Sequence, residues 1–364
     1  MNQALALGSD AQFLALPEPV VLEGGETLPQ VTVAYRTWGR LNAAGDNAVL
    51  VCHALTGSAD LDQWWPGLLG AGKALDPARD FIICSNVLGG CYGSTGPNSI
   101  DPRTGRRYGA DFPAVTVRDL VAVQAALLDE LGVTVLALVL GGSLGGMQVL
   151  EWAASYPDRL RAAAAISVGA RQSPWCIGLS ETQRQTIYAD ARWREGYYDP
   201  ADPPVAGLAA ARMAAMCSYR HWGEFATRFS RETAPGGGFQ VESWLKHHGE
   251  KFVARFDANT YVTLTRTMDS HDLGRGRGGT PAALKNIRLP VLVVGSSSDV
   301  LYTPDEQQEL ARHIPGAELS WLASPHGHDA FLIETDALDR HIRDFRRWHF
   351  ASTASARRHY PCPL

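Results

Sequence analysis

An α/β fold, with a mostly parallel sheet covered by helices on both faces and a helical block inserted late in the chain, is what the sequence predicts. Three observations predict it. Short apolar runs alternate with helix-patterned segments up to about residue 168, and the rhythm resumes from residue 289. One of those runs, residues 135–140, passes through Gly141-Gly142-Ser143-Leu144-Gly145 straight into a helical pattern. Between residues 170 and 279 the alternation stops, leaving helical stretches and loops rich in tryptophan, tyrosine and arginine.

The elements follow in order. Residues 31–38 alternate as an early antiparallel strand does, and residues 48–53 and 81–86 read as buried strands. Residues 117–131 carry apolar positions at helical spacing and stop at Gly132, a natural C-cap. A strand at 135–140, a helix at 147–156 and a strand at 160–168 come next. After the helical block, Leu289-Pro-Val-Leu-Val-Val-Gly295 and Glu318-Leu-Ser-Trp-Leu322 restore the strand pattern, and a helix over 335–350 closes the fold. The organisation expected is therefore a discontinuous core, residues 1–169 and 280–352, with a lid at 170–279 and a flexible tail at 353–364. Inserted lids restrict access to a site and exclude water from it.

Composition narrows the function classes. The 364 residues are 45% hydrophobic and 20% charged, ordinary for a globular chain. A net charge of −5 carries no electrostatic footprint for nucleic acid. No run reaches the length of a membrane span, and residues 1–19 lack the basic start of a secretory signal. Cys52, Cys84, Cys91, Cys176, Cys217 and Cys362 show no metal-like spacing, which points to free thiols in a reducing cytoplasm and to no metal.

The segment around Ser143 carries the chemistry. Strand, tight turn, serine and helix form the nucleophile elbow of an α/β-hydrolase fold. Glycines flank the serine because only small neighbours let the helix approach the strand. A nucleophilic serine needs a base, and the base needs an orienting carboxylate, in the chain order Ser, Asp, His. Asp299 follows the strand at 289–295, on the rim of the sheet that also carries Ser143. The base comes from Ser324-Pro-His-Gly-His328, where His326 and His328 compete. Backbone N–H groups of Leu144 and of the 53–57 loop, with Leu55 the choice, would form the oxyanion hole.

These residues sit among more specific blocks. They include His53-Ala-Leu-Thr-Gly-Ser58, Asn86-Val-Leu-Gly-Gly-Cys91, Gly207-Leu-Ala-Ala-Ala-Arg-Met213, His271-Asp-Leu-Gly-Arg-Gly-Arg277 and Gly327-His-Asp-Ala-Phe-Leu332. On them the chain resembles the homoserine O-acyltransferases of the α/β-hydrolase superfamily, from about residue 20 to 350. The resemblance implies a triad of Ser143, Asp299 and His328, and it decides for His328 over His326. It implies that Arg212 and Asp329 bind the amino acid and that Tyr219 lines the site. A guanidinium on the carboxylate and a carboxylate on the ammonium suit a zwitterion. It implies acetyl transfer from acetyl-CoA, as co-substrate, to L-homoserine through an acyl-serine, with no permanently bound cofactor. It also implies a homodimer formed through the lid helices. Succinyl-CoA as donor and L-serine as acceptor are alternatives within the family. An esterase or thioesterase, and a binding protein without activity, are alternatives outside it. Arg275 and Arg277 are candidates for the CoA phosphates by charge alone.

Overall fold

The computed structural model describes residues 8–350; the tail at 353–364, Cys362 included, lies outside the described residues. Eight strands form one sheet: β1 Gln12–Ala15, β2 Thr32–Trp38, β3 Ala48–Cys52, β4 Phe81–Ser85, β5 Leu136–Gly142, β6 Ala163–Ile166, β7 Val291–Ser296 and β8 Glu318–Leu322. Their order is β1-β2-β4-β3-β5-β6-β7-β8. The first two pairings are antiparallel and the rest parallel. All seven residues of β5 are buried, as a central parallel strand covered on both faces requires.

The period of two along each strand feeds two separate cores. Leu50 and Val139 point into one, with Leu120, Met147, Trp152 and Leu310. Val49, Val51, Leu138 and Leu140 point into the other, with Trp65, Phe331, Leu338 and Phe345. Helices α1 Val117–Glu130 and α2 Leu144–Ser155 lie on the first face. A capping box starts α1: Asp119 N–H donates to the Thr116 hydroxyl, and Thr116 N–H donates to the Asp119 carboxylate.

Between β6 and β7 the chain forms α3 Pro174–Tyr188, α4 Val205–Tyr219, α5 Trp222–Phe229, α6 Gln240–Val253 and α7 Ala258–Asp269. Helix α4 packs against both α3 and α6. The two ends of this block are tied together: Gln172 N–H donates to His271 O at 2.8 Å, and Leu273 N–H to Ala170 O at 2.9 Å. Helices α8 Pro304–His313 and α9 Thr335–Phe350 complete the fold, α9 on the second face.

Two boundaries differ from expectation by three residues or more, and one strand was not expected. The helix after the serine begins at Leu144, not Met147, because Gly145 and Gly146 hide its first turn from a propensity reading. Strand β6 is shorter than 160–168; Ser167, at φ 45°, ends it. Strand β1, an edge strand with mostly exposed side chains, shows no apolar alternation and escapes sequence reading.

Candidate active site

Strand β5 delivers the chain to Ser143 in a strained backbone, φ 58° and ψ −123°, where a residue with a Cβ rarely sits. Its neighbours explain how the strain is held. A Cβ on Gly145 would lie 2.1 Å from the Cys52 carbonyl oxygen, so the turn is pressed onto the end of β3. Ser143 N–H donates to Ile166 O at 3.0 Å, fixing the turn from the β6 side. The N-terminus of α2 begins on the next residue and favours negative charge there.

Asp299 sits three residues past β7 and is spoken for at both oxygens. Its Oδ1 accepts N–H bonds from Leu301 at 2.8 Å and Tyr302 at 3.1 Å. Its Oδ2 lies 2.8 Å from His328 Nδ1. Asp299 accepts only, so Nδ1 carries the proton and Nε2 is the basic nitrogen. Burial opposes a charged imidazolium, but the charge and hydrogen bond of Asp299 outweigh it and raise His328 above its ordinary value. His326 is placed elsewhere, with its Nδ1 3.2 Å from Glu224. The structure thus separates the two histidines that the sequence leaves in competition.

Ser298 joins the two loops, a role no sequence signal marks. Its hydroxyl donates to Ser324 O at 2.7 Å and accepts Gly327 N–H at 3.0 Å. Among the described residues Ser143 Oγ makes no hydrogen bond, so the step from serine to imidazole is not closed in this structure. A hydroxyl is a rotor, and such contacts tighten when substrate is bound.

Leu55 lies in the turn that follows β3 and shares a narrow cavity of about 30 Å³ with Ser143. Cys176, Gln183, Tyr219 and Tyr302 also line it, and none of the lining residues is charged. Leu144 is the first residue of α2, where the backbone N–H has no partner within the helix.

Arg212 and Tyr219 both project from α4. The Arg212 guanidinium lies over the rings of Tyr219 (5.3 Å) and Phe252 (5.1 Å), and its buried Nη1 has no hydrogen-bond partner. Tyr219 in turn lies tilted beside His328, ring centres 6.0 Å apart. Asp329 is not a lone carboxylate: Arg220 Nε lies 2.9 Å from it, and Arg220 also bonds Glu224 at 3.1 Å. Burial raises the Asp329 carboxyl, partly offset by Arg220, His328 and Arg212. Arg220 was invisible in the sequence because it lies outside every recognised block.

The two arginines put forward for phosphate are both occupied. Arg275 is bidentate to Glu23, at 2.9 Å on each side. Arg277 grips Glu151, a buried carboxylate, through two guanidinium nitrogens. They fasten the 272–279 segment to the sheet domain and leave the phosphate role without support.

Residues 47–335 match the alpha/beta hydrolase fold family. A protein of Trichormus variabilis named homoserine O-acetyltransferase is 58% identical over 348 residues, spanning 95% of this chain and 97% of that protein. One of Chlorobaculum tepidum with the same name is 54% identical, spanning 95% and 98%. Among solved structures, esterase E22 superposes with a TM-score of 0.84 at 27% identity, covering 92% of this chain and 99% of that one. Homoserine O-acetyltransferase from Staphylococcus aureus does so with 0.76 at 26% identity, covering 96% and 97%.

Proposed function

We propose a function that proceeds from family membership: the chain belongs to the homoserine O-acetyltransferase family, on the α/β-hydrolase fold. It moves an acetyl group from acetyl-CoA to the hydroxyl of L-homoserine, giving O-acetyl-L-homoserine and CoA, an early step of methionine biosynthesis. His328 Nε2 takes the proton of Ser143, whose oxygen attacks the thioester carbonyl. The N–H groups of Leu55 and Leu144 stabilise the oxyanion, and His328 returns the proton to the departing CoA sulfur. The same imidazole then deprotonates the homoserine hydroxyl, which attacks the acetyl-serine ester, and returns that proton to the Ser143 oxygen as it leaves.

The observation that carries this reading is Arg212. A buried guanidinium nitrogen without a partner is costly in a folded protein unless an anion arrives to meet it. The α-carboxylate of an amino acid is such an anion, and its ammonium is drawn to Asp329. Tyr219 fills the wall between Arg212 and His328. The uncharged lining around Ser143 suits acetyl better than succinyl, whose free carboxylate would be buried there unpaired. The helices at 170–279 act as a lid that keeps water from the acyl-serine. Their exposed Trp175 and Trp222 suit a homodimer formed through the lid. The five described cysteines are free thiols, in keeping with a cytoplasmic enzyme.

The superposition on an esterase favours one rival, with water as acceptor. Thiol release separates them. Acetyl-CoA and succinyl-CoA are each mixed with L-homoserine, L-serine or no amino acid. Fast release with acetyl-CoA and L-homoserine alone is the expected result. Equal release without any amino acid makes the protein a thioesterase and removes the role of Arg212.

A further inference from the structure

His53, the residue after β3, is buried at 2% exposure and takes no part in the chemistry above. Its two ring nitrogens are nevertheless both engaged. Nε2 lies 3.2 Å from Val87 N, and a backbone N–H can only donate, so Nε2 is the unprotonated acceptor. The ring proton is therefore on Nδ1, which lies 2.8 Å from Ala54 O and donates to it. Burial pushes the pKa of His53 down to about 4, against a small upward pull from Ala54. The ring stays neutral, in one tautomer, throughout the neutral range.

Ala54 O accepts a second bond, from Gly57 N–H at 2.9 Å. A Cβ at residue 57 would come within 3.0 Å of His53 Cβ and 3.3 Å of Ala54 O, so a glycine lets both donors converge on one oxygen. That oxygen belongs to the same peptide unit as Leu55 N–H. No described peptide bond is cis, so the two dipoles point in opposite directions and fixing one fixes the other. Leu55 N–H donates to none of the described residues, and Leu55 stands in the wall of the Ser143 cavity.

We propose that His53 is a positioning residue for acyl transfer: by holding Ala54 O from behind, it aims Leu55 N–H at the oxygen that becomes negative on the acylated carbon. The assignment rests on the reading of Leu55 as an oxyanion donor. A donor preset in this way costs no reorganisation during the reaction, which is where such sites gain their effect.

The test is the rate of Ser143 acetylation by p-nitrophenyl acetate, followed by quenched mass spectrometry on the peptide carrying Ser143, with thermal unfolding alongside. This half-reaction involves neither CoA nor an amino acid. His53→Asn keeps a donor near Nδ1, whereas His53→Gln keeps only an acceptor near Nε2 for Val87. The expected result is a loss of about 10²-fold in His53→Ala and His53→Gln, since removing one oxyanion donor costs 10²–10³. His53→Asn recovers at least about tenfold on the same basis, with the homoserine KM of deacylation unchanged in all three. If His53→Gln recovers and His53→Asn does not, the histidine only braces Val87 and the proposal falls. Acetylation at the wild-type rate in His53→Ala overturns it as well. If the wild-type protein is never acetylated at Ser143, the serine reading itself fails and takes this assignment with it.

Discussion

Arg220 and Asp329 form an ion pair of 2.9 Å, one residue beyond the histidine that Asp299 orients. The pair ties the C-terminal end of α4 to the loop that carries His328. Glu224 backs Arg220 from α5. On the proposed reading, the substrate ammonium shares Asp329 with a guanidinium already in place.

Replacing Arg220 with Met takes the nearest cation from the half-buried Asp329, and its raised carboxyl rises further. A carboxyl that holds its proton more readily holds an ammonium less well. The homoserine KM increases by about tenfold at neutral pH, the order expected for a partly exposed pair. Acetylation of Ser143 by acetyl-CoA stays within about twofold, because that step does not use the acceptor site. Steady-state and single-turnover kinetics on the same variant separate the two effects.

Asp299→Asn removes the charge and the acceptor that hold His328 in its tautomer. The turnover number falls by about 10⁴-fold, as it does when the acid of such a triad is made an amide. The pH dependence moves with a definite sign. His328 must be neutral to act as base, and its pKa is raised, so wild-type activity is lost as pH falls through a value above the usual histidine range. Without Asp299 that raising influence is gone, and the acidic limb of the residual activity shifts to lower pH. A pH profile of kcat/KM for both proteins checks the direction.

Arg212→Lys does not rescue Arg212→Gln. A lysine keeps the charge but not the planar fork that meets a carboxylate on two nitrogens, nor the same stacking on Tyr219 and Phe252. Both variants raise the homoserine KM by about 10²-fold, roughly the 2–3 kcal/mol of a charged hydrogen bond. Acceptor titrations at saturating acetyl-CoA measure it.

Arg277→Gln leaves Glu151 buried beside fewer cations. Thermal unfolding drops by an amount equivalent to about 3 kcal/mol, while the KM for acetyl-CoA is unchanged. A large rise in that KM, in a protein of normal stability, would return Arg277 to the phosphate role.

Much of this site was legible because the chemistry constrains the chain sterically. The turn at Ser143, φ 58°, brings residue 145 against the Cys52 carbonyl and demands glycine there, and that demand is written in the sequence. Asp299 was readable because it follows an apolar strand, on the rim that strand order predicts. What was not legible depends on contacts between distant segments. Ser298 and Arg220 are ordinary polar residues until Ser324, Gly327 and Asp329 come beside them. The charge of Arg275 and Arg277 was plain, but the carboxylates that claim them, Glu23 and Glu151, lie far away along the chain. Within the insertion the helices pack largely on one another, so their limits had no strand rhythm to mark them.

A serine that carries the acetyl group and yields it to an amino acid can be caught directly. The protein is mixed with acetyl-CoA alone, quenched, and the peptide containing Ser143 is weighed, before and after a chase with L-homoserine. One added acetyl group on Ser143, discharged by L-homoserine much faster than by buffer and yielding O-acetyl-L-homoserine, is the predicted result. An unmodified Ser143, or an acetyl group that buffer removes as fast as the amino acid does, contradicts it.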